Sequence, residues 1–297
     1  MPSASVVIES RCTRRAGLAW LAAWAAATLL GKAQAADAPA AALPTAAGSA
    51  NALLPPLRAE LVKTGLYLIT GGGGNVLLRL SAAGAVLVNG KQAGFYRPLM
   101  AQVRKISRLS DLPLRVLMLT DAADHHAANQ ALFAAAGVAT LVQQSARPLL
   151  PPALAGPAAP LAASLAAPVA VAPAPAPAPA PAVVVTFDRD YHLQIGGVEV
   201  VMVHVGPVRT PADSVVLFPD LKVLAVGDLY TTATPTAAMV PAGGLAGWSQ
   251  ALARLMAMDF DLVIASDGPP LRRADLAALQ ARVDALAAVP GAQQPRP

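Results

Sequence analysis

Between Arg147 and Asp188 the chain has no charged residue, and positions 148–182 hold eleven of its 28 prolines. Residues 172–182 alternate Ala and Pro without a break. Such a segment favours extended polyproline II, rising about 3.1 Å per residue, and cannot pack a core. A compact fold must therefore be built from what lies on either side. The stretch reads as a long disordered surface insertion between two halves of one domain, residues 61–147 and 183–288. A ligand for a proline-recognising partner is the rarer use of such a composition.

The N-terminus sets a second limit. Arg11, Arg14 and Arg15 precede an uncharged apolar run at 16–30, and Ala33-Gln34-Ala35 places small residues ahead of Ala36. That is the layout of a cleavable secretory signal over residues 1–35. The apolar run is shorter than the roughly 20 residues a membrane span needs. The Arg14-Arg15 pair leaves the general and the twin-arginine export routes both open. The expectation is a periplasmic or secreted protein with no membrane contact after cleavage.

Without the leader, 18 basic residues face 16 acidic ones, and the formal charge falls from +5 to +2. No basic block remains for nucleic acid. Cys12, the only cysteine, leaves with the leader. The mature domain then has no disulfide and no thiolate ligand, and its stability rests on core packing. By composition, residues 36–60 are a flexible lead-in and 289–297 a disordered tail.

In the first half, residues 66–69, 76–78 and 85–88 are strand-like runs separated by glycine turns. Gly71 to Gly74 make a tight turn, since no Gly-Lys-Ser/Thr follows to form a phosphate loop. Pro98 opens a helix with Leu99, Val103 and Ile106 on one face. A buried strand at 114–119 leads into a polar turn at 121–126 and a helix through Phe133. Strand–loop–helix units of this kind present ligand sites at the strand's carboxyl end. In the second half, strands are expected at 183–187, 192–195, 198–205, 214–218, 223–226 and 262–265. Helices are expected around Trp248, Leu252 and Leu255, and around Leu276, Leu279, Val283 and Leu286. Two β-rich halves closed by helices predict an α+β fold, a four-layer αββα sandwich.

The polar motifs sit in the turns. Thr120-Asp121-Ala122-Ala123-Asp124-His125-His126-Ala127-Ala128-Asn129 resembles the His-x-His-x-Asp-His loop, with its trailing Gly-Gly-Asn, of the metallo-β-lactamase superfamily. Gly206 to Asp213 resembles that family's Gly-Pro-Ala-His-Thr-x-Gly-Asp segment, and Gly227-Asp228-Leu229 its Gly-Asp-Leu turn. Ser266-Asp267-Gly268 falls where the family has Gly-His-Gly. The resemblance implies a site for two zinc or iron ions. It also places the three histidines of the first ion at Thr120, Ala122 and Arg209; a methyl group cannot ligate and a guanidinium repels a cation, so the first metal site is expected to be absent.

For the second ion the resemblance leaves Asp124, His125, Asp228 and Asp267. Two readings stay open at this level. In one, these four residues hold a single divalent ion (zinc, iron or manganese), and the protein is a periplasmic hydrolase. In the other, Arg209 pairs with Asp124 and Asp228 in place of metal. The protein is then a non-catalytic binding or accessory protein for a small-molecule ligand or a periplasmic protein. The remaining polar residues receive plainer expectations: His126 facing solvent, His204 hydrogen-bonded within the structure, His192 on a strand surface, Asn89 in a turn, and Lys91 solvated.

Overall fold

The computed structural model describes residues 5–6, 56–107, 112–150 and 183–289. The apolar leader run, the lead-in up to residue 55, the alternating Ala-Pro stretch and the tail from residue 290 lie outside the described residues. Among the described residues, no helix is long and apolar enough to cross a membrane.

Two sheets of seven strands form the centre. The two-residue β1 (Ser5–Val6), inside the expected leader, belongs to the second sheet. The first sheet begins with an antiparallel meander, β2 (Arg58–Lys63), β3 (Leu66–Thr70), β4 (Val76–Ser81) and β5 (Gly84–Val88). It continues in parallel through β6 (Leu114–Leu119), β7 (Ala139–Gln143) and β8 (Val184–Phe187). Helix α1 (Tyr96–Ser107) connects β5 to β6, and the short α2 (Asp124–Ala127) and α3 (Gln130–Ala135) connect β6 to β7.

The second sheet runs antiparallel through β9 (Asp190–Ile195), β10 (Val198–His204), β11 (Ser214–Phe218) and β12 (Val223–Gly227). Parallel β13 (Leu262–Ala265) and the two-residue β14 (Leu271–Arg272) complete it. Helices α4 (Gly244–Met256) and α5 (Arg273–Ala287) flank β13 in sequence.

Strand alternation sorts the apolar residues into layers. Leu66, Leu68, Val86, Val88, Val116 and Met118 from the first sheet meet Leu193, Val200, Met202, Val216 and Ile264 from the second in one buried cluster. The opposite face of the second sheet, with Leu224, Val226 and Val263, packs on Trp248, Leu252 and Leu255 of α4 and Leu276, Leu279 and Val283 of α5. On the first sheet's side, α3 packs on β7, and buried Phe133 meets Tyr96 of α1 edge-on at 4.9 Å. The αββα sandwich expected from the sequence is the fold observed.

Three details depart from the sequence reading. The first sheet starts at Arg58, inside the expected lead-in, because β2 is a mostly exposed edge strand held by its ladder to β3 rather than by burial. The fully buried β7 occupies a stretch with no expected strand. The halves also exchange a strand: β8 lies after the Ala/Pro stretch yet pairs with β7 in the first sheet.

Candidate functional site

Parallel strands bring their carboxyl ends to one edge of the sandwich, and the polar turns gather there. Asn89 follows β5, Thr120 follows β6, Asp228 follows β12 and Ser266 follows β13. The sheets are stitched together at this edge. Ser214 N–H donates to Thr120 O at 2.9 Å, and Asn75 N–H to Ser266 O at 2.5 Å. The Asn75 amide also donates to Ala265 O and Gly268 O, each at 2.9 Å. Gly227 has φ +54, and a Cβ there would lie 2.9 Å from Thr120 Oγ1. Only glycine allows the turn that presents Asp228 to come this close. Trp248 of α4 holds the same turn from behind, its indole N–H donating to Leu229 O at 2.9 Å.

Asp228 is the hub. Its Oδ1 lies 3.1 Å from His125 Nε2 and 3.9 Å from His126 Nε2. Its other oxygen, Oδ2, lies 3.4 Å from Arg209 NH2. Burial alone would raise the Asp228 pKa. The hydrogen bond from His125, the nearby His126 and the Ser266 hydroxyl overcome it and hold the carboxyl well below the ordinary range. The His125 pKa is raised, chiefly by its bond to Asp228 against the opposing effect of burial, with Asp121 and Asp267 adding their charge.

His126 is where the structure corrects the sequence reading most. It was expected to face solvent, yet it is fully buried. Its Nδ1 lies 2.9 Å from both carboxylate oxygens of Asp121, and its Nε2 2.6 Å from Ser266 Oγ. An ionised Asp121 only accepts, so Nδ1 donates to it, while Nε2 shares a hydrogen bond with the Ser266 hydroxyl. Gly74 packs over the ring: a Cβ there would sit 3.1 Å from His126 Nε2.

Lys91 is the second correction. Expected in solvent, it is fully buried in left-handed backbone at φ 68. Its ammonium donates to Ile69 O at 2.7 Å and Gly74 O at 2.8 Å. Burial lowers its pKa to about 8, partly offset by Asp267. Lys91 thus clamps the glycine loop onto the histidine pair. The turn it belongs to is fixed by Asn129, whose amide donates to Gly90 O, Lys91 O and Gln92 O. Asn89 fits its expected turn role at φ 65, and its Oδ1 accepts from both the N–H and the hydroxyl of Thr120.

Arg209 is delivered by a turn wound around Asp213. Asp213 Oδ2 accepts the backbone N–H groups of Val208, Arg209 and Thr210, and Oδ1 accepts the Thr210 hydroxyl. Burial raises the Asp213 pKa against those bonds. His204 is held in the structure as expected, 2.9 Å from Asp213 O. His192 pairs with Glu199 at 2.9 Å on the strand surface.

Of the four residues the sequence offered to a single ion, the structure brings His125 and Asp228 together and adds His126. Each contributes one donor atom, and the three atoms lie within 4.8 Å of one another. Asp124 and Asp267 are exposed and make no ion pair among the described residues. The expected pairing of Arg209 with Asp124 is likewise not formed; Arg209 reaches Asp228 alone. His126 was hidden from sequence reasoning because the loop's side chains follow no periodicity. The one signal was its position before an Asn129 that fixes the loop.

The sequence profile of the metallo-beta-lactamase superfamily matches residues 108–286. No curated protein matches the chain. Among solved structures, a metallo-beta-lactamase from Pontibacter korlensis superposes with a TM-score of 0.60 at 18% identity, covering 77% of this chain and 99% of its own. DIM-1 metallo-beta-lactamase superposes with a TM-score of 0.60 at 17% identity, covering 78% and 99%. FIM-1 from Pseudomonas aeruginosa, in its mono-zinc form, gives 0.58 at 18%, covering 80% and 98%.

The two-ion arrangement implied by the sequence motifs does not fit the residues present. At the three first-ion positions, the Thr120 hydroxyl is bonded to Asn89, Ala122 has no side-chain donor, and Arg209 is a permanent cation on Asp228.

Proposed function

Since the chain belongs to the metallo-β-lactamase superfamily, we propose that it is an exported relative of the metallo-hydrolases that has given up two-ion catalysis and works as a binding or accessory protein. The contact of Arg209 with Asp228 carries this reading. A guanidinium stays protonated at any working pH and repels a second cation. Held against Asp228 Oδ2, it supplies at the first-ion position the positive charge that the carboxylate needs. The same charge keeps a second ion out of the first-ion position. What remains is a cleft at the carboxyl ends of parallel strands, the usual place for recognition in such folds, open to a small molecule or a periplasmic protein.

The test is metal content by mass spectrometry on protein purified from its own periplasm without chelator. Fewer than two ions per chain, no hydrolysis of β-lactams, and a melting shift with some periplasmic fraction are the expected results. Two ions per chain would sink the reading. N-terminal sequencing of the same sample checks export, with Ala36 as the expected first residue.

One observation favours a second reading, a periplasmic hydrolase with a single divalent ion: the convergence of His125, His126 and Asp228. Bound zinc, iron or manganese lowers the pKa of a coordinated water and polarises a substrate. Turnover of any ester, amide or phosphoester that stops on chelation and returns with one equivalent of metal would favour it over the binding role.

A further inference from the structure

We infer that the cleft carries a one-ion site whose ligands are His125, His126 and Asp228, with Asp121 as the residue that positions His126. Asp124 and Asp267, the ligands expected from the motif, lie outside it. The inference rests on the family reading and holds whether the protein is catalytic or only binds.

Asp121 holds one nitrogen of His126 from behind. An imidazole that ligates through one nitrogen almost always donates the other N–H to a carboxylate or carbonyl, which fixes the ring and raises its basicity. His126 has that arrangement: Nδ1 faces Asp121, which is 3% exposed, and Nε2 points inward, 3.9 Å from Asp228 Oδ1. Asp121 falls beside Thr120, where the family motif has its first histidine.

Ligands about 2.1 Å from a tetrahedral ion stand about 3.4 Å apart. The separations from Asp228 Oδ1, 3.1 Å to His125 Nε2 and 3.9 Å to His126 Nε2, bracket that value. Both imidazoles address Oδ1, whereas Arg209 addresses Oδ2, so the guanidinium and an ion do not compete for one oxygen. Ser266 Oγ, 2.6 Å from Nε2, keeps its hydrogen bond to Asp228 when an ion takes the nitrogen.

Two imidazoles and one carboxylate suit zinc, iron(II) or cobalt(II) better than magnesium or calcium. Solvent reaches the site from the side of His125, whose side chain is 34% exposed, and that leaves a coordination position for water or a ligand atom.

Chelator-stripped protein titrated with cobalt(II) and zinc(II) tests this by calorimetry and by the visible cobalt spectrum. Wild type should take up one equivalent, with a spectrum of nitrogen and oxygen ligands. Asp121→Asn, which keeps the shape and weakens the support, should lose about 10–100-fold in affinity. Asp124→Ala and Asp267→Ala should stay within about twofold of wild type. Because His126 is fully buried and its substitution tests folding as much as binding, the deciding measurement is made on wild type: nitrogen-15 shifts of the imidazoles on adding zinc. Movement of Nε2 in both His125 and His126 supports the site. Movement in His125 alone, or release by Asp124→Ala with Asp121→Asn unaffected, overturns it while a one-ion reading survives on the motif's ligands. No uptake at all overturns it and leaves the Arg209 reading untouched.

Discussion

The two oxygens of Asp228 look onto neighbourhoods of opposite construction. On the Oδ2 side stands Arg209, 42% exposed, delivered by a surface turn and engaged through one contact at 3.4 Å. On the Oδ1 side stand two imidazoles backed by buried groups: Asp121 and Ser266 behind His126, Gly74 over the ring, and Lys91 holding Gly74. One side presents a single, part-exposed charge. The other keeps a hydrogen-bonded frame with two imidazole nitrogens turned into it. A residue that only fills a charge can be exposed and mobile, whereas ligand geometry needs locked rotamers and a supporting shell.

Asp228→Ala breaks both sides at once and should have the largest effect. Removing one partner of a buried ion pair costs about 3–5 kcal/mol. Arg209 and His125 are 42% and 34% exposed, so water re-solvates them and the expected loss falls to about 2 kcal/mol. For a domain of this size that is a drop in Tm of about 4–8 °C, together with loss of cobalt binding. A variant as stable as wild type would mean that neither side depends on the carboxylate. Stability should also fall at both ends of the pH range. The depressed Asp228 contributes stability above the ordinary carboxyl pKa, which is lost as pH falls through its folded value. The raised His125 contributes below the ordinary imidazole pKa, and this is lost as pH rises through its folded value.

Lys91 sharpens the comparison by testing how firmly the rigid side is braced. Its pKa is lowered to about 8 from 10.5. Between those values the unfolded chain holds a proton that the folded chain does not, so stability gains a component that rises with pH across this window. Lys91→Met should remove that rise, which denaturant melts at pH 7.5 and 9.5 would read as a difference in slope from wild type. The variant also frees the glycine loop, and hydrogen exchange of the Gly74 amide should speed up while amides of the Arg209 turn stay unchanged. Equal slopes would place the proton elsewhere and remove Lys91 as the clamp.

How much of this was legible in the sequence follows the same division. Strands such as Leu114–Leu119 and helices such as Arg273–Ala287 announce themselves by apolar runs and by spacings of three and four, because burial selects those patterns. The order of the Asp-His, Gly-Asp-Leu and Ser-Asp-Gly turns located the site edge. Arg209 was legible as well, since a lone guanidinium at a former ligand position has few roles. His126 and Lys91 were not. Whether a polar side chain on a loop turns in or out depends on the carbonyls and carboxylates that the rest of the fold supplies, here Asp121, Ser266, Ile69 and Gly74, which are distant in sequence or follow no period. The edge strand Arg58–Lys63 escaped for the opposite reason: it buries little, and only its ladder to β3 makes it a strand.

Asp124→Ala should have the smallest effect, and it separates motif from structure most cleanly. The motif puts Asp124 beside His125 as a ligand, but it opens a helix of four residues with its side chain in solvent. A carboxylate at a helix N-terminus gains about 0.3–1 kcal/mol from the backbone dipoles, and less in a helix of one turn. Its loss should therefore change stability by no more than about 0.5 kcal/mol, and cobalt affinity by no more than about twofold. The two readouts fail in different directions. A large fall in affinity at unchanged Tm would bring Asp124 into the ion's shell and return the site to the family pattern. A large fall in Tm without any metal present would mean that its charge supports the loop, as first expected from a pairing with Arg209. Neither is compatible with a side chain that stands free at the rim while His126 does the work from inside.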